Sequence, residues 1–317
     1  MKINTSKDDL KDTGLSVSQR DFYNSFIEMG LPNKRKEDWK FTDLKKILNS
    51  NLKQLTPLKE KTKFKCEKIF DFDHYSIINF NGALIDHDLF PKNSIELAET
   101  NLKEVNHLKD HSIFEGAPYN LTPGRPATEL QAKKDQMLSL NLSFVDRGYS
   151  FQIVQNLEKP LVIYNYYNNN LQGKMINNTN SIKILNSKCT IVEVDIDKSK
   201  SSYFKNTFQR YEIQDSEVNY FFINLKKNNA FNYTNNRINI NDLNSKKGSK
   251  FNYFIFGSGS KFRKDDYEIS LKKENSFAKI NSAAILKKDE HHEVKTKMFH
   301  NQPHCKSHQK IKNVLQD

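Results

Sequence analysis

The chain has 317 residues and a mass of 37.1 kDa, and its 50 Lys and Arg against 38 Asp and Glu give a net charge of +12 and a pI near 9.3. That length allows roughly two domains. Apolar residues make up 36%, and the 10 glycines do not lift the figure to the roughly 45 to 50% of ordinary soluble domains, which argues against a large oily core. Yet 22 Phe and 13 Tyr exceed what a disordered chain carries, so the chain is expected to fold.

No stretch approaches the roughly 20 apolar residues that cross a bilayer, and the opening MKINTSKDDLKD has no apolar export region. These features predict a cytoplasmic protein with no membrane contact. Cys66, Cys189 and Cys305 lie far apart and form no CxxC pair, which suggests neither a disulfide framework nor a thiolate metal finger. The positive charge invites a nucleic-acid reading, but only 7 of the basic residues are Arg, and they are scattered from Arg20 to Arg263. Lysine is a solvated point charge without the planar fork that reads phosphate and guanine. The surplus is read as a solvated surface, with no nucleic acid as partner.

In chain order, residues 1–60 read as helical. Phe22, Phe26 and Met29 recur at helical spacing in Val17 to Met29, and Gly30-Leu31-Pro32 supplies a stop. A second helix is predicted from near Lys36 through Trp39, Leu44, Ile47 and Leu48, with Thr42 and Asp43 available for capping. Ser76 to Phe80 followed by Asn81-Gly82 predicts a strand pair with a tight turn. Gly116 to Pro126 reads as loop and Gln131 to Leu142 as a short helix, so an N-terminal helical and mixed region is expected over 1–145.

From 146 the reading is β. Thr190, Val192, Val194 and Ile196 share one face of a strand and Ile191, Glu193, Asp195 and Asp197 the other, the alternation of a half-buried strand. Similar runs recur at 161–164, 182–185, 218–225, 251–256, 267–271 and 277–286. Turns are expected at 168–170, 177–180, 198–202, 226–229, 241–249 and 257–260, with no helical pattern between. A sandwich, a barrel and a solenoid all remain open on this pattern, and the low apolar fraction favours a parallel β-helix, whose stacked coils have a narrow core.

Five of the nine histidines fall in HHEVKTKMFHNQPHCKSH, residues 291–308. His300, His304, Cys305 and His308 form H-x3-H-C-x2-H, a set that suits Zn, Fe or Cu. Pro303 opposes a continuous helix, and a strand would place the three histidines on one face and Cys305 on the other. The segment therefore admits a bland polar rim, a metal or cluster contact centred on His304 and Cys305, or a Cys/His nucleophilic pair. Cys66 and Cys189 read as inert thiols without a role. There is no GxxxxGK[ST] loop and no GxGxxG after a strand, so any ATP would be bound by a partner.

Two separated stretches resemble the SufB/SufD family of iron-sulfur cluster assembly proteins, and within it the SufD branch. In GLPNKRKEDWKFTDLKKIL the matching positions are Gly30, Leu31, Pro32, Arg35, Glu37, Trp39, Lys40, Phe41, Thr42, Asp43 and Leu44. In residues 257–315 a glycine turn precedes Arg263, and a His-rich strand leads to His300, Pro303, Ser307 and Gln309. LNLSFVDRGYSFQIVQNLEKPLVIYN, between them, is also similar to the start of the family core. The resemblance implies a right-handed parallel β-helix over 146–317 behind a helical region. It implies a non-enzymatic scaffold working with SufB and the ATPase SufC, with no stably bound cofactor and at most a transient iron-sulfur cluster within the complex. The alternative is a metal-dependent enzyme or metal-binding protein using the His/Cys cluster at 291–308. The family's Asp-Asp-Val-x-Cys-x-His-Gly segment and its helical SufC-binding part would follow Gln316-Asp317, so the chain reads as a fragment with an uncapped last coil, and none of its residues inherits their roles.

Overall fold

The computed structural model describes residues 2–3, 15–58, 66–99, 135–168, 171–224, 228–241 and 248–316. After strand β1 (Lys2–Ile3) comes helix α1 (Val17–Met29), as the apolar spacing predicts. Ser16 and Gln19 close a capping box at its start, and Gly30, at φ 66°, ends it by donating its N–H to the Phe26 carbonyl at 2.7 Å. The helix expected from Lys36 is instead broken. A 3-10 turn (Glu37–Trp39) closes when the Thr42 N–H donates to the Trp39 carbonyl at 2.9 Å, and α2 (Leu44–Asn51) starts afresh with Asp43 capping the Lys46 N–H at 2.9 Å. Leu44 and Leu48, both fully buried, carry its inner face.

Strand β2 (Gln54–Pro57) follows, then the hairpin of β3 (Tyr75–Phe80) and β4 (Ala83–His87), antiparallel as expected. Asn81 and Gly82 both take positive φ, 48° and 83°, in its turn. After β5 (Ile95–Glu99), helix α3 (Gln136–Phe144) is buried along its whole length. Asp135 caps it by accepting from the Met137 and Leu138 N–H groups at 3.0 Å. The predicted loop at 116–126, the start of the predicted helix at 131–134, and the turns at 169–170 and 242–247 lie outside the described residues.

Strands then succeed one another: β6 (Tyr149–Ile153), β7 (Leu161–Tyr167), β8 (Lys174–Leu185), β9 (Lys188–Asp197), β10 (Phe204–Gln214), β11 (Glu217–Asn224), β12 (Asn228–Ile240), β13 (Lys250–Ser258), β14 (Ser260–Leu271), β15 (Phe277–Leu286), β16 (His292–His300) and β17 (Lys306–Leu315). Even-numbered strands from β8 to β16 stack in one sheet and odd-numbered strands from β7 to β17 in a second, every step among them parallel. Each coil gives one strand to each sheet, so Glu217 lies beneath Lys250 and Lys250 beneath Phe277. The architecture is a mainly β solenoid of about five turns behind a helix-containing N-terminal region. Among the described residues no helix is long and apolar enough to cross a membrane.

The loops fall differently from the sequence expectation in places. Asn177–Asn180 lies inside β8, Asn228 and Asn229 begin β12, and of 257–260 only Gly259 interrupts the strands. Two asparagines of the solenoid strands are bonded beyond their own strand: Asn180 Oδ1 accepts the Tyr149 N–H at 3.2 Å, and Asn206 Nδ2 donates to the Met137 carbonyl of α3 at 2.9 Å. At the first coil Gly148, φ 141°, lets the chain pass so close to the next rung that a Cβ would lie 2.1 Å from the Thr179 carbonyl oxygen.

The strand at 190–197 is buried on both faces. Val192 and Val194 pack outward beneath N-terminal segments, whereas Ile191, Glu193 and Asp195 point into the coil. The half-buried reading fails because this wall of the solenoid carries a second layer outside it.

Candidate functional site

The coil interior has an apolar half and a polar half. Apolar rungs of Ile191, Tyr220, Tyr253 and Ile280 in one sheet face Ile182, Tyr211, Ile238 and Ile269 in the other. The Tyr220 and Tyr253 rings stack at 4.9 Å. Further along these strands and β7 the interior turns polar: Asn165, Glu193, Lys205, Gln209 and Arg263 surround a small cavity, with Asp195 beside Lys205.

These polar groups bind one another. Lys205 Nζ lies 2.6 Å from Asp195 Oδ2, with both side chains under 10% exposed, and its ammonium stands 4.6 Å from the centre of the Tyr167 ring. Glu193 accepts from Tyr220 Oη at 2.6 Å, Asn165 Nδ2 at 2.8 Å and Gln209 Nε2 at 3.2 Å. Burial, reinforced by the neighbouring Asp195, pushes the Glu193 carboxyl above the usual range against these donors. Arg263 grips Asp265 through Nε at 2.6 Å and Nη2 at 3.0 Å, and His292 Nε2 is 3.1 Å from the same carboxylate. Burial alone would raise Asp265, but the Arg263 guanidinium outweighs it and holds the carboxyl well below its ordinary value. Among the described residues Arg263 Nη1 has no hydrogen-bond partner.

The two motifs singled out in the sequence touch, Thr42 meeting Glu293 across 251 positions. Trp39, buried, lies over the Tyr233 ring at 5.2 Å, and the wholly buried Lys264 ammonium is 5.0 Å from its centre. Thr42 Oγ donates to Glu293, Lys264 pairs with both Glu293 and Asp266, and Asp38 pairs with Lys295 and Lys297. The segment 30–44 is thus a latch laid across the outside of β12, β14 and β16. His291 closes the group, its ring stacked on Phe262 at 5.2 Å and 3.5 Å from Thr42, and burial lowers its pKa.

The His/Cys segment splits at Pro303 into the end of β16, a turn and β17, with His304 at φ 57° in the turn. His300 registers with the inward Leu271 and bonds Ser307 Oγ at 3.0 Å, whereas His308 registers with the outward Lys279. The expectation that His300, His304 and His308 share one face is therefore overturned by the turn. Exposed His304 pairs loosely with Glu274 at 3.8 Å, and Cys305 Sγ donates to the Lys273 carbonyl at 3.1 Å. Among the described residues no three His, Cys, Asp or Glu side chains converge as a metal-holding group. The motif positions are instead bonded across the last turn, Ser307 to His300 and Gln309 to Thr296 at 2.5 Å. Cys189 is buried in the apolar interior, its thiol pushed up to about 12 by burial, and burial also lifts Cys66 to about 11.

Residues 167–317 match the family model described as SUF system FeS cluster assembly, SufBD core domain. That likeness covers somewhat less than half of the chain, and it does not distinguish SufD from SufB. No curated protein matches the chain. The matched region takes in β8 to β17, and with them Glu193, Asp195, Lys205, Arg263 and the strand the latch holds. Sequence reasoning reached Arg263 only through the resemblance and missed the interior cluster. Its one signal was Glu193 and Asp195 on the same strand face as Ile191.

Proposed function

We propose that the chain is a SufD-like, non-enzymatic scaffold component of the SUF system, acting in the cytoplasm in a heteromeric complex with SufB-like and SufC-like proteins. The iron-sulfur cluster is then cargo of the complex and not a resident cofactor of this chain. The observation that carries the reading is the docking of the 30–44 signature onto Lys264, Glu293 and Lys295 within a region that matches the SufBD core. A motif spent on fixing one strand stack against its covering helices is what a rigid holder of other proteins needs. The interior supports the same reading, because Glu193, Asp195, Lys205 and Asp265 are each engaged from a neighbouring coil, by Tyr220, Asn165, Tyr167 and His292 in turn. In this proposal His304 and Cys305, adjacent in the turn before β17, are where cargo on a neighbouring subunit would meet this chain.

The test is co-expression with SufB-like and SufC-like proteins from the same source, followed by affinity purification through a tag on this chain. The expected result is a stable heteromer that persists in His304→Ala. Purification alone, with stoichiometric Zn or Fe that is lost in His304→Ala, would replace the proposal with the metal-enzyme reading.

A further inference from the structure

The outer face of the odd-numbered sheet carries two continuous rows across its strands. One runs Tyr164, Val194, Ile223, Phe256, Ala283 and the other Val162, Val192, Phe221, Phe254, Asn281. At the β7 and β9 end, the chain's own segment 66–74 covers these rows. Phe70 lies 6.0 Å from the Tyr164 ring, His74 Nε2 is 2.9 Å from Tyr164 Oη, and Tyr166 Oη donates to the Glu67 carbonyl. That segment reads Ile69-Phe70-Asp71-Phe72-Asp73, and its Asp73 reaches Lys159 at 2.7 Å. Aromatic residues lie on the ladder and a carboxylate takes a rim lysine.

Two strands further on, the same rows are open. Phe221 and Phe254 stack at 4.9 Å and Phe254 and Phe256 at 6.5 Å; Phe256 is 44% exposed, and Ile285, two residues beyond Ala283 on β15, is 50% exposed. Contiguous exposed apolar surface of this kind marks an interaction site more often than scattered single residues do. The rim is again basic: Lys279 Nζ stands 5.7 Å from the Phe254 ring, and exposed Lys310 and Lys312 register beside Asn281 and Ala283.

We infer that this open face, centred on Phe221, Phe254, Phe256 and Ile285, docks an extended partner segment in which aromatic residues alternate with acidic ones. The chain already solves the recognition problem once on the same two rows, with that chemistry and a lysine rim. The partner segment continues the layer that 66–74 begins, its rings on the phenylalanine stack and its carboxylates toward Lys279, Lys310 and Lys312. The inference is independent of the SUF reading.

The probe is a fluorescent peptide of sequence EKIFDFDHY, titrated against the full chain and followed by anisotropy, with EKIFKFKHY as the charge-reversed control. Saturable binding to the acidic peptide is expected, at least tenfold weaker in Phe256→Ser and in Ile285→Asn, at least tenfold weaker for the control peptide, and weakened by added salt. Both substituted side chains are about half exposed, so an unchanged thermal midpoint confirms that each variant is folded. Absence of saturable binding, equal binding of the two peptides, or affinity unchanged in both variants overturns the inference. So does a dimer in sedimentation that Phe256→Ser dissolves, since a second copy would then be the occupant.

Discussion

The two halves of the solenoid interior are built by the same strands in the same register, yet they hold together by different physics. In the apolar half, Ile182, Tyr211, Ile238 and Ile269 succeed one another coil by coil, and stability follows from area removed from water. In the polar half, Ile176, Lys205, Asn232 and Arg263 occupy one row, and stability there rests on each charge finding a partner, Lys205 with Asp195 across the turn between β9 and β10 and Arg263 with Asp265 two residues along β14. A hydrophobic row tolerates exchange of its members when volume is kept, whereas a charged row specifies identity at every position.

The largest effect that separates the halves is expected from Lys205→Met. It removes the ammonium that pairs with Asp195 and leaves that carboxyl, 5% exposed, with only the Asn165 amide at 3.1 Å, and should cost about 3 to 5 kcal/mol in urea unfolding. Ile269→Ala in the apolar half removes three carbons from a fully buried site and should cost about 2 to 5 kcal/mol, and a volume-preserving Ile269→Leu should restore most of that loss. If the methionine variant proves as mild as the leucine one, the distinction between the halves collapses. At the boundary, Tyr220→Phe keeps the ring and deletes only the hydroxyl that donates to Glu193, for about 1.5 to 3 kcal/mol.

The smallest effect is one of pH. Asp265 has its folded pKa depressed, so its contribution is complete above the unfolded value of about 3.9 and is lost as acid carries the pH down toward the folded value. The stability difference between the natural chain and Asp265→Asn should therefore be constant from pH 8 to about pH 5 and shrink below about pH 4 in urea titrations. Glu193 is displaced the other way, so its charged form weakens the fold as the pH rises through its folded value, and Glu193→Gln should flatten that decline. A shrinking difference at neutral pH for Asp265→Asn would show that the polar half is not held as described.

The unequal halves also decide how much of the molecule could be read from its residues. Helix α1, the Asn81-Gly82 hairpin and β15 (Phe277–Leu286) were legible, because each rests on local chemistry: apolar helical spacing ended by a glycine, positive φ, and a short apolar run between turns. Strands β10 and β12 escaped, since Lys205, Thr207 and Gln209 in one and Thr234 and Asn236 in the other erase the apolar period at inward positions. The stacked coils themselves could be argued from turn spacing and low apolar content. The interior cluster could not, because Asp195 and Lys205 meet only when the turn between β9 and β10 folds the chain back on itself, and Arg263 and His292 only through coil-to-coil register. For the same reason the resemblance located the motif at 30–44 without revealing that it latches onto Glu293 and Lys295.

The central claim, that the polar half is a set of mutually dependent charges, is tested most directly by a double-mutant cycle on Lys205 and Asp195. Urea unfolding of Lys205→Met, Asp195→Leu and the double variant should give a coupling of about 2 kcal/mol or more, with the double variant more stable than either single one. Single losses that simply add, leaving a coupling near zero, would contradict it.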